Sequence, residues 1–376
     1  MKQKFLSFML ALIIISLCYP SAFAIEKKEN STVNRSATFL DEVVEQTRMS
    51  LQFIEPEKSL YGLPYVDFSS LELGEQIPAY TLMENGTLLE TDIIYFPILS
   101  GSEWVATSIV SFNSEGDPIV QISTAYAKAY NGDIGVEEDV ALVFDDSSSY
   151  IIAESDIIKV SSSPNIILER GSLEKHMDTI NIEKNGLEAM CDVGLETDGD
   201  VTPLVHPFEG QYYLPVPCIR QAKDSLQCWA ACIASIRGYY GTPTTIDEVY
   251  DMAGIRKYNA APLHDASYTL EKFGFNLNWG NDGGYSWLSL RNAIYYNETP
   301  IYCHIGYSDQ DAHAIVIRGY YVNLREPSVG LGLISYMDPA DGAYCTSVVK
   351  KDCEFYYVPS SNPTEYIIDT FLEVVN

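Results

Sequence analysis

An α+β protein in two units is what the residue pattern predicts: a smaller β-rich α+β unit first, then a larger one in which helices precede an antiparallel sheet. Three observations carry that expectation. Between 79 and 153 short apolar runs alternate with turn signals, between 228 and 296 apolar residues recur at helical spacing before glycine or asparagine stops, and after Pro300 the pattern turns to strands.

Taken in order, the chain opens with Met1-Lys2-Gln3-Lys4, an apolar run over 5–18 and then Ser21-Ala22-Phe23-Ala24, the three regions of a cleavable secretory signal over 1–24. Cys18 does not make a lipoprotein site, because Leu17 stands where lipobox cleavage needs a small residue. The apolar run is too short to span a bilayer comfortably, and no later stretch approaches the length of a membrane-spanning helix. A secreted or extracellular protein is therefore expected, with retention at the cell surface left open.

The first unit, 25–160, begins polar, with a helix expected over 39–51. Strands follow at 79–83, 93–99, 104–112 and 119–123, separated by Asn85-Gly86, Ser100-Gly101-Ser102 and the turn residues of 113–117. A short helix over 125–130 and strands at 140–144 and 150–153 complete it. The stretch 161–212 holds Ser161-Ser162-Ser163-Pro164 and Glu196-Thr197-Asp198-Gly199-Asp200, a composition that predicts a linker.

The second unit, 213–376, starts with a helix over 228–240, its apolar face made by Trp229, Cys232, Ile233, Ile236 and Tyr240, and stopped by Gly241-Thr242-Pro243. Thr245 and Glu248 have capping-box spacing for a helix that Gly254 ends. Helices over 265–273 and 287–296 come next, then strands at 301–307, 312–322 and 331–337 and a hairpin over 346–358. No internal repeat is visible.

The 376 residues are 47% hydrophobic and 20% charged, which suits a globular chain with two cores. The net charge of −29 repels phosphate backbones and anionic head groups, so nucleic acid is not an expected partner and solubility explains the acidity. Of eight cysteines, removal of the signal leaves seven, an odd number that fits one free thiol. Cys345 and Cys353, flanking an expected hairpin, are the best disulfide candidates. No Cys-x-x-Cys pair exists and the histidines are not at ligand spacing, so neither a metal nor another cofactor is expected.

Chemistry can start from Cys228. A thiol attacks as its thiolate, which the positive end of a helix and a nearby imidazolium favour, and Cys228 opens the helix. His313, in the strand Asp311-Ala312-His313-Ala314-Ile315-Val316-Ile317, is flanked by alanines that would let another segment approach the ring. A histidine base needs a group to orient its second nitrogen, and Asp338, ending the strand of 333–337 before Pro339, can supply it. Each residue alone has a plainer role: Cys228 as core, His313 as a satisfied core histidine, Asp338 as a turn residue. Cys232, one helical turn on, reads as structural. His304 adjoins Cys303 on a strand, where successive side chains point to opposite faces, which rules out that dyad; His176, His206 and His264 lie in the connection and at a helix start.

The segment Gln-Ala-Lys-Asp-Ser-Leu-Gln-Cys-Trp-Ala-Ala over 221–231 resembles the nucleophile motif of bacterial papain-like cysteine peptidases, in the branch similar to bacteriocin-processing double-glycine peptidases. Asp-Ala-His-Ala-Ile-Val-Ile-Arg-Gly-Tyr over 311–320 resembles that family's histidine strand, and Met337-Asp338-Pro339 its third-residue motif. The resemblance covers about 215 to 358 and implies a papain-like fold there, a Cys228–His313–Asp338 triad and hydrolysis of a protein or peptide substrate. It also implies an oxyanion-hole glutamine, for which Gln221 is the choice over Gln227, although it stands one residue further from the cysteine than the family pattern has it. By the same resemblance the first unit is expected to act as a propeptide or inhibitory domain. A monomer is expected. Acyl transfer or amide hydrolysis on the same fold, or a non-catalytic secreted binding protein, stay open as alternatives.

Overall fold

The computed structural model describes residues 37–83, 87–113, 116–130, 140–145, 148–153, 156–162, 191–192, 210–222, 225–280, 285–306, 312–322, 331–349, 355–358, 366–368 and 370–376. Among them, no helix is long and apolar enough to cross a membrane. The expected signal segment 1–24 and most of 161–212 lie outside the described residues.

Helix α1 (Ala37–Ile54) buries Val43, Leu51, Phe53 and Ile54 together with a fully buried Gln46. That glutamine is tolerable in the core because its Nε2 donates to the Pro118 carbonyl at 3.0 Å and its Oε1 accepts the Val120 N–H at 3.0 Å. A 3-10 turn, Glu55–Glu57, follows. Next come β1 (Leu71–Leu73), β2 (Ala79–Leu82), β3 (Leu88–Glu90), β4 (Ile94–Ser100), β5 (Glu103–Phe112) and β6 (Pro118–Ser123), then α2 (Ala125–Tyr130), β7 (Val140–Phe144), β8 (Ser148–Ala153) and β9 (Asp156–Ser162). Strands β3-β2-β7-β8-β9 form a small sheet, with β2 and β7 parallel.

From the stretch expected as linker come β10 (Cys191–Asp192), which pairs with β1, and β11 (Gln211–Tyr213). The helices α3 (Cys228–Tyr239), α4 (Ile246–Ala253) and α5 (Leu263–Lys272) follow, then β12 (Asn276–Trp279), α6 (Trp287–Tyr295), β13 (Ile301–Gly306), β14 (Ala312–Val322), β15 (Gly332–Asp338), β16 (Ala343–Val349), the two-residue strands β17 (Tyr356–Tyr357) and β18 (Tyr366–Ile367), and β19 (Thr370–Val375). The architecture is α+β, helices and large antiparallel sheets.

The larger sheet does not stop at the expected boundary. Its order is β10-β1-β4-β5-β6-β16-β15-β14-β13-β19-β12, with β11 alongside β14. The join is β6 to β16, where Ile122 faces Thr346 and Gln121 faces Ser347. Gln121 reinforces it with reciprocal bonds to Val358, Nε2 to the carbonyl at 2.8 Å and Oε1 from the N–H at 3.0 Å. One continuous apolar core holds Leu51, Phe53 and Val120 as well as Ile233, Val316 and Leu333. The stretches 25–160 and 213–376 thus share a sheet and a core.

The helices form where their caps dictate. Thr245 and Glu248 make the expected capping box, with Thr245 N–H donating to Glu248 Oε2 at 2.8 Å and Glu248 N–H to Thr245 Oγ1 at 3.2 Å, while Gly254 ends α4 at φ 75°. Helix α3 is buried from Trp229 to Ile236 and packs against β14, the pattern of a helix covered on every side.

Candidate active site

Cys228 is the first residue of α3, half-buried, where the backbone N–H groups of the opening turn have no carbonyl four residues back. The residue before it, Gln227, does not cap the helix with its side chain. It is 4% exposed and turns inward, its Oε1 accepting the Ala222 N–H at 3.1 Å, so it shapes the loop that leads into the helix.

Gln221 sits at the other end of that loop. Its backbone N–H donates to the Pro339 carbonyl at 3.0 Å and its Nε2 to the Ser225 carbonyl at 2.9 Å. A primary amide carries two N–H donors, so one hydrogen on Nε2 remains to offer. Gln221 is thereby bound to the residue following Asp338, which draws the loop before the cysteine and the β15–β16 turn into one corner.

His313 lies near the start of β14, 7% exposed, between an exposed Ala312 and a buried Ala314. Its Nε2 is 2.9 Å from Oδ1 of Asp338, the last residue of β15 and 1% exposed. The Cys228 thiol is close enough to hydrogen-bond to the same ring. With Nε2 facing the carboxylate, Nδ1 is the nitrogen left for sulfur. Burial by itself would depress the imidazole pKa, but the charge and hydrogen bond of Asp338, with Cys228 beside the ring, outweigh it and push the value up to about 10.

Asp338 is itself fixed. Its Oδ1 also accepts the Ala340 N–H at 2.8 Å, and its carbonyl accepts the Gly342 N–H at 2.9 Å, closing the turn. Gly342 needs its φ of 61°, and a Cβ there would fall 2.6 Å from the Arg220 side chain. Arg220 thus packs over the turn and Gln221 bonds to it, so the loop before the cysteine clamps the strand end that carries the carboxylate.

The remaining thiols are set apart by burial. It pushes Cys218 up to about 12, with the Asp338 charge adding to the effect, and holds Cys232 and Cys345 well above the usual thiol range. Cys345, one half of the expected disulfide, is a free thiol in β16, 1% exposed and opposite Tyr336 of β15. Cys353 lies outside the described residues. His264 is exposed beside Asp265, and His304 neighbours Cys303 on β13; His176 and His206 lie outside the described residues. Among the described residues, no group of three or more His, Cys, Asp or Glu side chains could hold a metal ion.

The loop after α4 was not marked by any pattern in the sequence. The Asn259 carbonyl accepts both the Trp229 indole N–H at 3.1 Å and the Tyr250 hydroxyl at 2.7 Å, which ties the loop to the residue following Cys228. On it stands Tyr258, with φ 70° and 61% exposed.

Comparison with known proteins bears on the same stretch. Residues 211–351, less than half of the chain, match the family model of the papain-like cysteine protease AvrRpt2. No curated protein matches the chain. Among solved structures, the peptidase domain of Streptococcus ComA, a bifunctional ABC transporter involved in a quorum-sensing pathway, is 15% identical, with 42% of this chain and 96% of that one covered at a TM-score of 0.28. The stretch 211–351, which includes Cys228, His313 and Asp338, is thus similar in sequence to papain-like cysteine proteases.

Proposed function

We propose that the protein is an exported peptidase that cleaves peptide bonds through an acyl-enzyme on Cys228, with His313 as base and Asp338 as its orienting partner. The observation that carries this reading is the hydrogen-bonded chain from Asp338 Oδ1 through His313 to the Cys228 thiol, assembled from two strands and a helix start. A half-buried sulfur at a helix N-terminus beside an imidazole is the arrangement thiol catalysis needs.

The reacting pair is a thiolate and an imidazolium, the proton of the thiol already on His313, and the sulfur attacks the scissile carbonyl carbon, whose oxygen becomes an oxyanion. The Cys228 backbone N–H and the spare Nε2 hydrogen of Gln221 are the donors suited to that charge. Collapse of the intermediate breaks the C–N bond, and the imidazolium gives its proton to the departing amine. A water, relieved of a proton by His313, then attacks the thioester, and the carboxylic acid product leaves as the thiol is restored. The signal-like segment over 1–24 supports release to the outside.

The test is digestion of an unfolded protein substrate by wild type and Cys228→Ala. Loss of turnover in the variant is expected; equal turnover would sink the assignment. Adding a primary amine and analysing products separates hydrolysis from acyl transfer, because only transfer yields an amide of the added amine.

A further inference from the structure

Strand β14 carries an irregularity five residues after His313. Upstream, Val316 pairs with Met337 and Ile317 with Tyr336; downstream, Gly319 pairs with Ser335 and Tyr320 with Ile334. Arg318 is the extra residue between the two registers. In an antiparallel ladder, residues directly opposite share a face, and a slip of one residue reverses every face. Extending the upstream register by one step sets Asp338 opposite Ile315, which lies on the His313 face because the two are two residues apart. Extending the downstream register in its place would set Asp338 opposite Val316, on the other face, away from the imidazole.

The bulged residue is an arginine with no exposed side-chain surface. Its Nη1 donates to the Leu214 carbonyl at 3.0 Å and its Nη2 to Glu57 Oε2. The guanidinium lies over the rings of Tyr344 at 4.3 Å and Tyr213 at 5.1 Å. The adjacent Gly319 admits β11, since a Cβ there would fall 2.8 Å from the Tyr212 carbonyl oxygen. Every partner on this list but one comes from the C-terminal half. Glu57 comes from the 3-10 turn after α1, in the unit the sequence marks as separable. A second contact, Tyr61 hydroxyl with Ser335 Oγ at 2.7 Å, fixes the segment just after that turn to β15.

We propose that Arg318, with its charge balanced by Glu57 of the N-terminal unit, is a positioning residue that locks the β14 bulge and so holds Asp338 on the His313 face. A buried guanidinium deprived of its carboxylate is strongly disfavoured. Relief comes when the bulge dissolves and β14 slips by one residue, which breaks the His313–Asp338 bond without touching either side chain. The N-terminal unit is then a working part of the catalytic centre and stays with it, unlike a prosegment that is shed. The inference rests on reading Cys228, His313 and Asp338 as the catalytic set.

Full-length Glu57→Ala, Glu57→Gln and Arg318→Met are compared with wild type for kcat and KM, and for the titration of the His313 ring by NMR, with the signal assigned by its loss in His313→Gln. Expected for Glu57→Ala is a fall in kcat of about tenfold or more with KM within about threefold, the split that marks lost transition-state geometry. Its His313 midpoint should move from about 10 toward an ordinary histidine value. Glu57→Gln, which keeps an acceptor for the guanidinium, should recover part of both. A merely structural contact would lower the melting temperature and leave the kcat of folded protein and the imidazole midpoint in place, and that result in Glu57→Ala overturns the proposal. Arg318→Met adds a second reading if it folds; Glu57→Ala, on a side chain partly open to water, decides alone if it does not. Should wild type cleave nothing, the peptidase reading fails while the His313 titration still judges the bulge.

Discussion

One carboxylate oxygen of Asp338 makes two bonds: Oδ1 lies 2.9 Å from His313 Nε2 and accepts the Ala340 N–H at 2.8 Å. Because both fall on the same atom, an asparagine can keep both by presenting its carbonyl oxygen there while it removes the charge. Asp338→Asn should therefore retain the turn and lower kcat by about tenfold, whereas Asp338→Ala, which frees the ring to rotate, should cost about 10² or more. Steady-state kinetics on both variants checks this; equal losses would mean that charge, not orientation, is what Asp338 contributes.

The raised value of His313 has a consequence for stability. A group whose folded pKa, about 10, stands above its unfolded one, 6.5, takes up a proton on folding. Its stabilising contribution is full below the unfolded pKa and disappears as pH climbs through the folded one. The melting temperature of wild type should fall between pH 7 and 10 more steeply than that of His313→Gln, since the variant lacks this proton and the other titrating groups are common to both. Parallel curves would show that the imidazole and carboxylate are not coupled as the geometry implies.

Thiol reactivity should follow burial and surroundings. Cys218, Cys232 and Cys345 are held protonated by burial, and Cys232 and Cys345 have almost no exposed surface. A limiting dose of iodoacetamide on native protein, read by peptide mass spectrometry, should place label on Cys228 about tenfold or more ahead of these three. Label appearing first on Cys218 would move the nucleophile away from the helix start.

How much of this was visible in the residues alone depended on range. Helix α3 opens at Cys228 as its apolar pattern and the following glycine predict, the capping box of Thr245 and Glu248 forms, and β14 runs over 312–322 as read; all of these are written within about a dozen consecutive residues. Pairing between distant strands is not. Ile122 against Thr346 joins the two halves into one sheet, yet nothing local tells an edge strand which other edge will meet it. Strands β10 and β11, of two and three residues, are too short to show a period and were hidden in a stretch whose composition reads as linker. Arg318 is the sharpest case: in an apolar strand an arginine reads as a solvent-facing position, and its partner Glu57 lies far away in sequence.

Tyr258 supplies the last prediction. Its φ of 70° is one that side chains with a Cβ adopt at a cost of about 1 kcal/mol or more, and 61% exposure means that packing does not repay it. The loop is held in this shape by the two bonds to the Asn259 carbonyl, from Trp229 beside Cys228 and from Tyr250. The expectation drawn from strain kept at an exposed aromatic, on a loop bonded to the residue after Cys228, is contact with substrate. Tyr258→Gly should then raise stability by about 0.5–1 kcal/mol, since glycine takes this φ freely, while KM for a peptide substrate rises several-fold and kcat holds. Trp229→Phe, which removes one of the two bonds that set the loop, should raise KM in the same direction with a stability loss of about 1 kcal/mol. Thermal melts and initial rates on the two variants separate the outcomes: a Tyr258→Gly protein that is more stable and binds substrate as tightly as wild type would make the strained tyrosine a feature of the loop alone.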